Sequence, residues 1–250
     1  MPDFDFVLRF LNITFMDLAL SGDNAIVIGM AAAYLPAERR RWAILVGGAL
    51  AILLRVALTS IATLLTLIPM LSAVGGLVLV WVVWKLLALD AEAIKGEEAT
   101  AGAAAKGFRQ AITLIITADF MMSLDNVIAI AGSAHGSIPL IVAGLIISMP
   151  LLMMTGGFIS SLIDRAKWLV YAGAAAISFT AARMIFEDRA VEARFPVSDS
   201  VVYPVSGAFA ILAPLACVFI RDYLGRRRKR GITGRFSIDD RNTPSGEQEE

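Results

Sequence analysis

The 250-residue chain is 58% hydrophobic and 18% charged, with a mean hydropathy of +0.73, well above the apolar share of about 45–50% in soluble domains. Its 22 basic and 22 acidic residues cancel, so no overall positive charge points to nucleic acid. The composition instead implies lipid as solvent, a single membrane domain and no soluble domain beside it.

Apolar windows run over residues 8–33, 42–67, 70–89, 110–133, 138–162, 167–186 and 202–223. Each is long enough to cross a hydrocarbon core of about 30 Å. A spanning segment must pair its own backbone groups, and windows this long and apolar do so as helices rather than barrel strands. The expectation is therefore an all-α polytopic protein of seven transmembrane helices, occupying residues 1–225. Asp3 and Asp5 stand where a signal peptide carries positive charge, and Asn12 and Asp17 interrupt the apolar stretch, so no cleaved signal is expected. The segment at 90–109 reads as a cytoplasmic linker, and 226–250 as a basic, then polar, disordered tail.

Basic residues between the windows fall largely on one side: Arg39 to Arg41, then Lys95, Lys106 and Arg109, then Arg165 and Lys167, then Arg226 to Arg230. By the positive-inside rule that side is cytoplasmic, with the N-terminus outside and the C-terminus inside a bacterial-type inner (plasma) membrane. Trp42, Trp84 and Trp168 stand at the same helix ends, where indole rings favour the interface. The lone Cys217 makes no intramolecular disulfide and no soft-metal cluster.

The chemistry lies in an internal repeat. Asp17-Leu-Ala-Leu-Ser21-Gly-Asp23-Asn24-Ala-Ile26 and Asp119-Phe-Met-Met-Ser123-Leu-Asp125-Asn126-Val-Ile128 match at an offset of 102 positions. Two three-helix repeats follow, over about 8–89 and 110–186, with a seventh helix at 202–223. Halves with an odd number of spans insert in opposite senses, the inverted-repeat plan of many secondary transporters. A carboxylate at mid-membrane costs at least about 2.5–3.5 kcal/mol on insertion scales. Packing alone does not select four of them.

At about 100° per residue, Asp17, Ser21 and Asn24 share a helix face and Asp23 does not. Gly22 is expected to let the helix unwind, turning Asp23 inward and freeing carbonyl oxygens; the second repeat has Leu124 there. Carboxylate, amide and carbonyl oxygens suit Mg, Ca or Mn, whereas zinc or copper more often recruits His or Cys. His135 lies in an expected external loop. The candidate metal residues are Asp17, Asp23, Asn24, Asp119, Asp125 and Asn126, supported by Ser21, Ser123 and Arg55. Arg55, the other mid-membrane charge, is expected to pair with one or more of the acids. Four ionised Asp against one Arg leave −3, which one divalent ion lowers only to −1, so a protonated Asp in part of a cycle would couple metal to protons.

Simpler roles exist for several residues. Ser21 and Ser123 can bond backbone carbonyls. Met121, Met122, Met149, Met153 and Met154 read as packing rather than thioether ligands. Lys85 and Arg183 read as snorkelling side chains, and Pro150 as a kink in the fifth span.

The stretch from Phe15 to Ala32, FMDLALSGDNAIVIGMAA, and the later SLDNVIAIAG resemble the TerC family of integral membrane proteins, as does the ISMP of the fifth span. The resemblance covers roughly residues 8–223 and implies the seven-helix plan. It also implies a link to tellurium resistance and, for several members, manganese export, within a larger lysine-exporter-like superfamily. Its acidic motif residues fall on Asp17, Asp23, Asn24, Asp119, Asp125 and Asn126. Mn2+ as the favoured substrate comes from the resemblance alone.

The leading expectation is a divalent-cation exporter, not an enzyme, with no permanently bound cofactor, with its ion and the bilayer as partners and with no nucleic acid. One alternative is an intramembrane aspartyl protease using Asp23 and Asp125, although a dyad needs neither the two further Asp nor the two Asn. The other is a non-transporting component of tellurite or envelope-stress resistance.

Overall fold

The computed structural model describes residues 2–65, 68–94, 101–134 and 137–239, and among these it is helical with no strand. In chain order the helices are α1 (Pro2–Leu20), α2 (Gly22–Ala33), α3 (Ala37–Ser60), α4 (Ala62–Leu65), α5 (Leu71–Ile94), α6 (Ala101–Ala134), α7 (Ile138–Arg165), α8 (Trp168–Phe186), α9 (Arg189–Arg194) and α10 (Asp199–Asp239). The chain divides into two compact units, Met1–Pro214 and Leu215–Glu250. The helix crossings and sites described below belong to the first.

Five helices are long and apolar enough to cross a membrane: Ala37–Ser60, Leu71–Asp90, Pro139–Arg165, Trp168–Phe186 and Asp199–Ile220. Phe6–Leu20 and Gly22–Ala33 qualify together as a sixth, bent by 52° at their junction. The count among the described residues is thus five or six rather than the expected seven. The fourth expected window, 110–133, falls inside the 34-residue α6. The second window divides, because α3 stops at Ser60 and α4 forms a separate turn. The expected linker is shortened from both ends by α5 and α6, leaving 95–100 outside the described residues. Residues 226–239, expected as disordered, continue α10 as helix, and 240–250 lie outside the described residues.

Pairwise packing places α2 on α7, α3 on α6 and α5 on α8. Small residues make the first two crossings close. Without competing aqueous burial, membrane helices associate through backbone proximity and van der Waals fit. A Cβ built on Gly29 of α2 would stand 2.9 Å from the Gly156 carbonyl oxygen of α7, and one on Gly156 only 2.6 Å from Ile28 Cγ2. On α3, Ala43, Gly47, Gly48, Ala51, Arg55 and Leu58 form the buried stripe, and a Cβ on Gly47 would lie 3.1 Å from Ile115 Cγ2 of α6.

The stripe has a functional consequence. Its small residues bring α3 against α6, and its next member at helical spacing is Arg55, whose side chain is thereby carried into the interior with no exposure at all. Apolar packing surrounds this level. Ile13, Leu140, Ile141 and Leu145 form one cluster, and Ala25, Ala51, Met149 and Leu152 another. Met149 acts there as packing. Pro150 is exposed while Ser148 is buried, so the α7 helix turns its hydroxyl, not its proline ring, inward.

Candidate cation site between the two Asp-Asn motifs

The site is assembled from both Asp-Asn motifs and from α3. Asp17 of α1 and Ser21, at the break after it, stand four residues apart and Ser21 N bonds the Asp17 carbonyl at 2.9 Å, so their side chains share a face. In α6, Asp119, Ser123 and Asn126 stand at i, i+4 and i+7 and share one likewise. Asp17, Ser21, Asn24, Arg55, Asp119, Ser123 and Asn126 are all buried, Asn126 the most exposed at 8%.

Arg55 joins the repeats. Its Nη1 donates to Asp17 Oδ1 and, at 3.1 Å, to Ser21 Oγ. Its Nη2 donates to Asp119 Oδ1 at 2.9 Å, and its Nε to Ser123 Oγ at 3.0 Å. Each repeat's Asp-x-x-x-Ser pair thus supplies one carboxylate and one hydroxyl to a single guanidinium. Only Arg offers a planar fork of donors able to face two carboxylates at once, and it stays protonated. The hydroxyls also turn to their own acids, Ser21 to Asp17 at 3.3 Å and Ser123 to Asp119 at 3.4 Å. Ser148 of α7 donates to the second oxygen of Asp17 at 2.5 Å.

The asparagines tie the motifs across the interface. Asn24 Nδ2 donates to Asp119 Oδ1 at 2.9 Å, and Asn126 Nδ2 donates to the Leu20 carbonyl at 3.3 Å. That carbonyl is free because of the break at Ser21: Asn24 N bonds the Ser21 carbonyl at 3.1 Å instead of the carbonyl four residues back. The expected unwinding occurs, yet Gly22 does not require it. An added Cβ there meets nothing within 4 Å, and its φ is not left-handed.

Asp23 is separate from the Arg55 group. It sits in the first turn of α2, where the positive end of the helix dipole favours an anion. One of its oxygens accepts from Asn24 N at 3.0 Å and the other from Thr180 Oγ1 of α8 at 3.2 Å. Beside it, Asn24 Oδ1 is buried without a hydrogen-bond partner. A buried amide oxygen with no donor is costly unless something electropositive meets it. Asp23 and Asn24 Oδ1 can therefore meet a cation, while Asp17 and Asp119 already pair with Arg55.

Among the described residues, no three His, Cys, Asp or Glu side chains converge to hold a metal ion. The Asp125 side chain and His135 lie outside the described residues. Ser148 and Thr180 were not among the sequence candidates. The available signal for each was a hydroxyl residue inside an apolar window, which is too common in membrane helices to single out. Away from the site, Lys85 lies over the Trp81 ring at 5.8 Å, and Arg183 pairs with Glu187 at 2.7 and 2.8 Å. At the end of α2, the Tyr34 hydroxyl donates to Asp90 at 3.0 Å. Burial, then the Asp90 charge, pushes that phenol well above its ordinary range.

Comparison with known proteins places the chain in a family. A model of the integral membrane protein TerC family matches residues 3–229. An uncharacterized membrane protein, YjbE of Bacillus subtilis (strain 168), is 35% identical over 214 residues, covering 84% of this chain and 95% of the relative. No solved structure matches significantly.

Proposed function

The chain belongs to the TerC family of integral membrane proteins, and from that premise we propose that it exports a hard divalent cation, Mn2+ before others, across the inner membrane. The observation that carries this reading is the meeting of the two Asp-Asn motifs, through Asn24 to Asp119 and Asn126 to Leu20, around one buried guanidinium.

Two motifs 102 positions apart that converge on one level of a membrane protein suit a midplane substrate site between repeats. The packing supports this. Exchange of two three-helix halves would map the α2–α7 crossing onto α6–α3 and the α5–α8 crossing onto itself. In this reading α1 with α2, α3 and α5 form the first half, α6, α7 and α8 the second, and α10 the seventh span. The N-terminus is outside and the C-terminus cytoplasmic, by the charge of the connecting segments.

The ion is proposed to bind Asp23 and Asn24 Oδ1 from the first motif, with Asp125 and Asn126 from the second. Oxygen donors of this kind select hard cations; the preference for Mn2+ rests on the family. Arg55 serves as an internal counter-ion to Asp17 and Asp119. The carboxylates outnumber the cationic groups at this level, so proton uptake by one of them during the cycle is part of the proposal.

The test is cellular metal content. Bacteria lacking their own manganese exporter would carry wild type, Asp23→Asn or Asp125→Asn at matched protein levels. Lower Mn with wild type, and not with either variant, supports the reading. Unchanged Mn, Fe, Zn and Ca in all three strains would overturn it.

A further inference from the structure

Arg39, in the first turn of α3, and Arg109 of α6 line one pocket of about 300 Å3, together with Trp42, Ala105 and Phe108. Arg39 Nη1 is buried and has no hydrogen-bond partner. Neither arginine takes part in an ion pair among the described residues, whereas neighbouring Arg40 is held by Asp164 at 2.8 Å and by the Ala33 carbonyl. Two guanidinium groups facing one cavity repel each other, and a buried unpaired donor adds a desolvation cost. An anion with several oxygens relieves both, and phosphate matches the guanidinium fork.

The rest of the pocket identifies the carrier of that phosphate. Its other lining residues are Trp42, Phe108 and Ala105. Trp42 is 63% exposed near the start of a membrane-spanning helix, the level at which indole rings meet lipid headgroups. Basic pockets between membrane helices at this depth suit anionic headgroups. We propose that the pocket between α3 and α6 binds the phosphate of an anionic phospholipid, with Arg39 and Arg109 as its ligands and Trp42 and Phe108 against the glycerol and upper acyl region. The proposal rests on the membrane placement and is independent of what the protein transports.

Native mass spectrometry of the full chain in mild detergent, titrated with phosphatidylglycerol, tests it. Wild type is expected to retain one tightly bound lipid, with affinity falling about fivefold for Arg39→Ala and for Arg109→Ala, and unchanged for Arg41→Ala, an exposed neighbour outside the pocket. Equal weakening by Arg41→Ala would reduce the effect to diffuse surface charge and overturn the site. Equal retention of phosphatidylcholine would overturn the anionic selectivity. Inorganic phosphate that binds alone and displaces the lipid would make this a free-phosphate site, overturning the lipid assignment. Should Arg39→Ala fail to fold, Arg109→Ala at its exposed position gives the same readout.

Discussion

Asn24 and Asp119, 95 positions apart, are joined by an amide-to-carboxylate bond of 2.9 Å onto the same oxygen that accepts from Arg55. Asn24 is therefore shared between two groups of different kind. Its nitrogen belongs to the Arg55 network, and its oxygen, on the residue next to Asp23, is buried without a hydrogen-bond partner. An ion at Asp23 would be sensed by Asp119 through one amide.

Arg55→Leu is expected to destabilise strongly, because Asp17 and Asp119 would be left buried without their cation. Removing one member of a buried pair costs about 3–5 kcal/mol. Arg55→Lys keeps the charge but not the fork and should fall between. Thermal unfolding of the purified variants, followed by fluorescence-detected size exclusion, checks both.

The two acids of the first motif should behave differently. Asp23→Asn is expected to abolish Mn2+ flux in proteoliposomes while leaving the unfolding temperature near wild type, since Asp23 is outside the Arg55 group. Asp17→Asn should lower that temperature, because Asp17 bonds both Arg55 and Ser148. Matching stability losses in the two variants would contradict the separation.

Thr180→Val should raise the apparent KM for Mn2+ about tenfold with little change in expression. The hydroxyl bonds one Asp23 oxygen at 3.2 Å, and a hydrogen bond to a charged group contributes about 1.5–3 kcal/mol. Initial rates over a concentration series in proteoliposomes separate this from a loss of maximal rate.

Glycines at the break and at the crossing should give opposite outcomes. Gly22→Ala is expected to stay within about 0.5 kcal/mol of wild type or to stabilise slightly, as its Cβ meets open space. Gly29→Ala places a Cβ 2.6 Å from Ile159 Cγ2 and 2.9 Å from a backbone oxygen of α7. It should cost about 1–3 kcal/mol. Thermal unfolding of both variants side by side is the measurement.

The sequence by itself determined the class of protein and the level of its site. Helices were legible because lipid forces every long apolar segment to satisfy its own backbone. The duplicated Asp-Asn motif was legible because charge in such segments is too costly to persist without a role. Arg55 was legible as a partner for the same reason. The alternation of partners along the first motif was not. Side-chain pairing depends on which helices cross at what depth, and Gly29, Gly156, Gly47 and Ala51 set those crossings through contacts with residues far along the chain. Only the tertiary structure decided that Arg55 takes Asp17 and Asp119 and leaves Asp23 to Thr180. The same holds for Ser148, which looks like any hydroxyl in an apolar helix until α7 packs on α1 and presents it to Asp17. The break at Ser21 is a further case. Gly22 pointed to its place, but the freed Leu20 carbonyl is held by Asn126 from the other motif, a bond that exists only once the two motifs have met.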